Sequence, residues 1–360
     1  MTGLHNDNGL ELKESTSRSS SIEKILAAHR KPFDQLPPSR EVWNGQAGSY
    51  EEGLGRLIIL TPEIVQEAAA SCIKLGRRVS LSWDMTKLEI ANFNRQPAQH
   101  YIMPLLEGVA FDDVYIFNPQ QSSQWDGLRH FGAADPTPEN PSRRIFYGGV
   151  EPSEILNRSS TRIGIQHWAR EGICGRGVLL DYARYAAKHG IEYSSFSDHA
   201  IPLSVLIKVA QEQKVTFKFG DILFIRIGLV KEWETEMTPS EKTAYATTTS
   251  PCHAGVEGTT ETLRWIWDTG FAAVASDALS FEAYPPRNSY PREEGIPAAV
   301  GEFMHPVLLA KWGMPIGELF DLEGLSVVCE EAGRWEFFIA STPLNMPGGV
   351  SSPPNCLAIL

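Results

Sequence analysis

Phe219-Gly-Asp-Ile-Leu-Phe-Ile-Arg-Ile227 and, further on, Thr259-Thr-Glu-Thr-Leu-Arg-Trp-Ile-Trp-Asp-Thr-Gly-Phe-Ala-Ala-Val-Ala-Ser-Asp277 decide the fold class. In the first, a Gly220-Asp221 turn releases an apolar strand, Ile222 to Ile227. In the second, Thr259 to Asp268 reads as a helix stopped by Gly270, and Phe271 to Ala275 as the next strand. The same alternation extends outward. Thr61-Pro62-Glu63 supplies an N-cap, a first-turn proline and an early acid for a helix whose apolar positions Ile64, Val65, Ala68, Ala69, Cys72 and Ile73 precede a stop at Gly76. Val79, Leu81 and Trp83 alternate like a strand, and Val114 to Phe117 reads as another. Val178 to Asp181 is a short buried strand followed by a helix over 182–189, and Pro202 to Gln213 is a further helix. His305 to Trp312 reads as helical and Gly324 to Val328 as the start of a strand, with the acid pair Glu330-Glu331 at its end.

Interspersed strands and helices without repeat or linker mean a single α/β domain with a mixed sheet flanked by helices. Its expected limits are 22–342, with a helix at Ile22–His29. A Ser-rich disordered tail over 1–21 precedes it, and an extended tail from Pro343 to 360 is laid over the surface. The Pro- and Gly-rich stretch 284–298 reads as a long loop.

Composition narrows the function classes. With 44 acidic against 32 basic residues the net charge is −12, and no basic run exists, which excludes a nucleic-acid or anionic-membrane surface. No stretch has the length and apolarity of a membrane span, and the N-terminus lacks an apolar signal region. Five cysteines without CxxC spacing favour a reducing compartment, so a cytoplasmic location is expected. Walker-A, GxSxG, HExxH and dinucleotide-binding signatures are missing.

The densest polar cluster is Pro119-Gln-Gln-Ser-Ser-Gln-Trp-Asp-Gly-Leu-Arg-His-Phe131, delivered by the preceding strand. Asp126 and His130 set a carboxylate and an imidazole four residues apart, amid Gln, Ser and Gly donors suited to a metal or oxyanion. The same residues also suit a polar loop in which Asp126 caps a helix and His130 packs. His305 and Glu318 form a second pair with a donor set suited to Zn or Mn, although a His at a helix start is commonly structural. His29, His189 and His199 read as surface or capping residues, while His100 and His253 lie in loops as further candidates for substrate contact.

Taken together, these residues resemble the putative cyclase family, which includes bacterial kynurenine formamidases and isatin hydrolases. The resemblance runs from about Trp43 to Ala340. It rests on Gly55-Arg-Leu-Ile-Ile-Leu-Thr-Pro-Glu63, Arg78-Val-Ser-Leu81, Gly177-Val-Leu-Leu-Asp181, Phe219 to Arg226, Ala254-Gly-Val256, Ala272 to Asp277 and His305-Pro-Val-Leu-Leu309, in that order. It implies a swivelling β/β/α-type domain with the site at strand ends, commonly assembled as a homodimer or higher homo-oligomer. The family motif H-x-G-T-H-x-D-x-P-x-H lays its first His on Gln120, its second on Gln124, its Asp on Asp126 and its last His on His130. In the family the first two His and the Asp hold metal, and the last His is the acid/base. A late His and Glu, matched by His305 and Glu318, hold a second ion. This chain departs from the pattern at Gln120 and Gln124, neutral ligands weaker than imidazole. The form Ser123 to Phe131 resembles fungal members.

The resemblance implies one divalent ion (Mn, Zn or Mg) on Asp126, His305 and Glu318, with Gln124 as a fourth oxygen. It further implies hydrolysis of a small amide, lactam, ester or lactone by metal-activated water, with His130 as acid/base. Gln120, Ser123 and Gln124 would bind the oxyanion or the substrate. Trp125 and Phe131 would flank a small, aromatic one. Two other readings stand beside it: a cyclase, dehydratase or isomerase with a weakened or metal-free site, and a non-catalytic ligand-binding protein.

Overall fold

On the strand opened by Gly220-Asp221, Ile222 and Phe224 enter one apolar layer while Leu223 and Ile225 enter the other. An unbroken apolar run on a strand covered on both faces is what a central parallel strand requires. The computed structural model describes residues 21–90, 93, 95–135, 143–286 and 303–360. Its strands are β1 (Arg78–Ser80), β2 (Gln99–Leu105), β3 (Ala110–Ile116), β4 (Gln124–Asp126), β5 (Ala133–Ala134), β6 (Arg144–Ile145), β7 (Ile173–Asp181), β8 (Ala200–Ile201) and β9 (Ile222–Arg226). They continue as β10 (Gly255–Val256), β11 (Ala273–Ser276), β12 (Ile316–Glu318), β13 (Glu336–Ser341), β14 (Ser351–Ser352) and β15 (Cys356–Ile359).

Nine of these form one mixed sheet in the order β1-β15-β13-β7-β9-β11-β12-β4-β14. The centre, β7-β9-β11-β12, is parallel, and the flanking pairs are antiparallel. The sheet curls strongly. The Trp125 indole N–H of β4 donates to Ser341 Oγ of β13 at 2.9 Å, joining strands five places apart in the order. Helices Tyr182–His189, Leu203–Glu212 and Thr260–Thr269 cover one face. On the other lie Pro62–Cys72 and Glu323–Ala332. The result is a single α/β domain. No helix among the described residues is long and apolar enough to cross a membrane.

The helices expected at Ile22–His29, from Thr61 to the stop at Gly76, at 182–189, at Pro202–Gln213 and at Thr259–Asp268 are present, the last four as Pro62–Cys72, Tyr182–His189, Leu203–Glu212 and Thr260–Thr269. Three expectations are corrected. Gly324 to Val328 is not a strand but lies in helix Glu323–Ala332. Leu322, Leu325, Val328 and Cys329 recur at helical spacing and are buried together, and Glu330-Glu331 ends that helix, not a strand. The segment from Pro343 is extended as expected but is not laid over the surface: β14 pairs with β4, and β15 lies between β1 and β13 with Cys356, Ala358 and Leu360 buried. His29 is neither surface nor cap. Buried, it donates from Nε2 to Asn44 Oδ1 at 2.9 Å and accepts from Arg56 at 3.2 Å on Nδ1. Most of the 284–298 loop and nearly all of the 1–21 tail lie outside the described residues.

The parallel strands end in polar residues, Asp181, Arg226, Ser276 and Glu318, all at one edge of the sheet. That carboxyl edge is where open α/β sheets present side chains to ligands.

Candidate active site

The site is built where β4 inserts beside β12. Antiparallel pairing sets Gln124 opposite Glu318 and Asp126 opposite Ile316. Because side chains alternate along a strand, Gln124 and Asp126 share a face, and Trp125 points the other way into the core. Just before β4 the turn Pro119–Gln121 is fixed by Asn118, whose side chain accepts from the Gln120 backbone N–H at 3.0 Å. Just after it, the His130 backbone N–H bonds Gly127 O at 2.9 Å and brings the imidazole back over Asp126.

A chain of amides links the carboxylates. Gln124 Nε2 donates to Glu318 Oε2 at 2.7 Å and to Gln120 Oε1 at 2.9 Å, and Gln120 Nε2 donates to Asp126 Oδ1 at 2.5 Å. Asp126 Oδ2 and Gln124 Oε1 are buried without a hydrogen-bond partner. His130 Nε2 and His305 Nε2 stand 3.7 Å and 3.8 Å from Asp126 Oδ2. His305 Nε2 also reaches Glu318 Oε1 at 3.2 Å. One donor atom from each of Asp126, His130 and His305 lies within 4.8 Å of the others, a spacing a single cation can bridge.

His305 is aimed from behind. Glu282 Oε1 accepts its Nδ1–H at 2.8 Å and its backbone N–H at 3.1 Å, and also the Met304 N–H at 2.6 Å. A carboxylate on one ring nitrogen fixes the tautomer and turns the other toward the site, as in the outer shell of metal-binding histidines. His305 opens a wide helical turn over Pro306–Lys311, where the Trp312 N–H bonds Val307 O, five residues back.

Burial disfavours charge on His305, yet the carboxylates of Glu282 and Glu318 raise its pKa well above the usual imidazole value. Burial and the charge of Asp126 push the Glu318 carboxyl up, against the pull of His305. His130 goes the other way: burial lowers its pKa, partly offset by Asp126, with His305 and Arg95 adding to the fall. Its side chain is 23% exposed, so this imidazole, held toward its neutral form, faces solvent while its neighbours are sealed.

Thus the structure brings together Gln120, Gln124, Asp126, His130, His305 and Glu318. Phe131 joins them, its ring 5.5 Å from that of His305. It does not bring in Ser123 or Trp125. The Ser123 hydroxyl is spent on the backbone, donating to Leu319 O at 2.6 Å and accepting from the Trp83 N–H at 2.7 Å, and the Trp125 indole is fully buried against Phe320. Of the loop histidines, His100 lies on β2 and pairs with Asp113 at 2.6 Å. His253 lies inside, bonded to Ser280 Oγ at 2.6 Å, with its pKa pushed down to about 3 by burial and by the charges of Arg95 and His305.

Sequence reasoning missed Glu282, Arg95, Tyr284 and Phe303. Arg95 donates to Gln120 O at 3.1 Å and to Gln120 Oε1 at 3.3 Å. The ring of Phe303 sits 5.5 Å from His305 and 6.1 Å from Phe131, and that of Tyr284 sits 5.6 Å from Phe303 and stacks on His253 at 5.2 Å. None of the four stands at a spacing that marks a site.

A family model described as "Putative cyclase" matches residues 60–283, a span that includes β4, His130 and Glu282. The chain belongs to the putative cyclase family. The crystal structure of a novel cyclase is similar over 87% of this chain and 97% of its own, at 27% identity and a TM-score of 0.70. Isatin hydrolase A from Labrenzia aggregata, bound to benzyl benzoate, shares the fold over 82% of this chain and 97% of its own, at 12% identity and a TM-score of 0.51. An isatin hydrolase bound to the product analogue thioisatinate does so over 79% and 92%, at 11% identity and a TM-score of 0.51. No curated protein matches this chain.

Proposed function

We propose that this cyclase-family member, a swivelling β/β/α-type domain of the fungal subgroup, hydrolyses a small amide, lactam, ester or lactone with His130 as acid/base. One observation carries the reading. His130, whose pKa is lowered by burial, is part-exposed and stands 3.7 Å from a buried Asp126 oxygen that has no hydrogen-bond partner. A neutral imidazole at the rim of a sealed polar cluster can take a proton from water and return it to a leaving group. The developing imidazolium would be stabilised by Asp126. The amides of Gln120 and Gln124 are held rigidly enough to orient the carbonyl under attack.

The donor set also suits one divalent cation. Asp126 Oδ2 and Gln124 Oε1 are buried oxygens in want of a partner, and His305 Nε2 faces Asp126 and Glu318. Asp126, His305, Glu318 and Gln124 would hold Mn, Zn or Mg, which supplies Lewis-acid polarisation of a carbonyl when bound. The rings of Phe131, Phe303 and Tyr284 beside the cluster support a small aromatic substrate.

A second reading rests on the amide ladder. Both glutamines direct N–H donors at the carboxylates, as a site that works with protons alone would do, and this favours an acid/base cyclisation, dehydration or isomerisation. Elemental mass spectrometry of protein purified without chelator, beside an Asp126→Ala/His305→Ala variant, separates the two. About one equivalent of Mn or Zn, lost in the variant, supports hydrolysis with a metal. No stoichiometric metal in either moves the assay panel to cyclisation and isomerisation substrates. In both cases His130→Ala should abolish turnover with the fold intact, and an active variant refutes the acid/base role.

A further inference from the structure

Arg95 is half-buried at the rim of the site, and no carboxylate among the described residues pairs with it. Its guanidinium is spent on one residue, donating from Nη1 to Gln120 O at 3.1 Å and from Nη2 to Gln120 Oε1 at 3.3 Å. Arginine offers donors only. The contact with Oε1 therefore settles which way the Gln120 amide faces. Gln124 Nε2 donates to the same oxygen at 2.9 Å, so two donors converge on it and Gln120 Nε2 is left to face Asp126 Oδ1 at 2.5 Å. Turning the amide over would set its N–H groups against those of both Arg95 and Gln124. Arg95 thus fixes the sense of the whole ladder, with N–H groups toward Asp126 and Glu318.

The consequence is electrostatic as well as geometric. Three buried carboxylates, Asp126, Glu282 and Glu318, gather here, and buried charge without a counter-charge is costly. His305 reaches all three, at 3.8 Å, 2.8 Å and 3.2 Å. Arg95 adds a second positive charge from the rim, and its field is felt at His130, His253 and Glu318, where it disfavours a bound proton in each case. A divalent cation entering beside Asp126 would meet that charge, and would find Gln120 Oε1 already taken.

We propose that Arg95 is a resident counter-ion that competes with divalent metal: it neutralises the carboxylate cluster from the rim and withholds Gln120 Oε1, so that the site binds a cation weakly. The inference rests on Asp126, His305 and Glu318 being able to hold a cation, and not on which reaction follows. It makes metal occupancy a property set by one side chain outside the donor set.

Calorimetric titration of the chelator-stripped full chain with manganese(II) chloride tests this. Arg95→Met should bind Mn roughly ten- to a hundredfold more tightly than the native protein, as expected when one partly exposed charge no longer opposes a divalent ion. Arg95→Lys, which keeps the charge, should stay within about threefold of native. Adding Asp126→Ala to Arg95→Met should abolish the gain, which places it at this site. A cooperative thermal transition in each variant shows that the fold is kept. Equal Mn affinity in native and Arg95→Met protein would overturn the proposal and leave the cation reading standing. An Arg95→Lys protein that binds as tightly as Arg95→Met would overturn it too, and no Mn binding to any of them would overturn both.

Discussion

Replacing Glu282 by Gln tests how the site is held together. Glu282 Oε1 accepts three hydrogen bonds, from Met304 N, His305 N and His305 Nδ1, in a fully buried position. Gln keeps the shape and one acceptor oxygen. It removes the charge facing His305 and puts amide protons where Glu282 Oε2 already lacks a partner. Breaking a buried ion pair by removing one member costs roughly 3–5 kcal/mol. Because the two backbone bonds survive, the expected loss for Glu282→Gln is about 2–3 kcal/mol, with Glu282→Ala at the upper figure. Equilibrium urea unfolding followed by tryptophan fluorescence reads both. Freed to rotate, His305 would also lose its aim at Asp126 and Glu318, a misplacement that typically costs 10–100-fold in activity or metal affinity. A Glu282→Gln protein with wild-type stability and unchanged affinity for Mn would refute the argument, since it would mean that the imidazole is positioned by packing alone.

His29 titrates out of the fold. Burial, and secondarily Arg56, lower its pKa to about 3, so the unfolded chain takes up the proton first as acid is added. Its stabilising contribution is complete above the unfolded pKa of about 6.5 and is lost as pH falls toward 3, at most roughly 5 kcal/mol. His29→Gln should flatten that acid limb of a stability–pH curve, and an unchanged limb would assign it elsewhere. Gly317→Ala sets a methyl 2.6 Å from both Ala275 Cβ and the Phe320 ring, directly beside Glu318. Thermal unfolding should show a loss of roughly 1–3 kcal/mol, and turnover should fall with it. Gln124→Leu removes the donor to Glu318 Oε2 and the link to Gln120. It should leave a buried acceptor unsatisfied, at about 1–3 kcal/mol, and depress turnover. Wild-type turnover in that variant would show that the amide ladder is a spectator.

The parallel centre of the sheet was legible because strands buried on both faces are written as continuous apolar runs, as in Ile222 to Ile225 and Phe271 to Ala275. The helix at 323–332 was misread for a local reason: Val327-Val328 looks β-branched, and only the register of Leu322, Leu325 and Cys329 on one face shows the true period. Strands β4, β12, β14 and β15 were missed because two to four residues carry no periodicity, and their pairing is set by the curl of the sheet. In the site, the spacing of Asp126 and His130 was readable, as were His305 and Glu318 once the resemblance supplied their context. Ser123 and Trp125 were misplaced because a strand sends alternate residues to opposite faces, and nothing local shows that residues 124–126 are a strand. Glu282 and Arg95 act through partners 23 and 25 residues away, a distance over which sequence carries no geometric signal.

The pairing of β4 with β12 has a kinetic side. Gln124 and Glu318 are 194 residues apart, and closing so long a loop carries an entropic cost of about 5 kcal/mol before any contact can offset it. At the opposite edge, β1 pairs within the sheet only with β15, so residues 78–80 have no sheet partner there until 356–359 have arrived. Contacts between such distant segments form late in folding. The amide ladder and the two imidazoles around Asp126 would then assemble only after the central strands have settled, so that the appearance of activity reports the last step of folding and not the first.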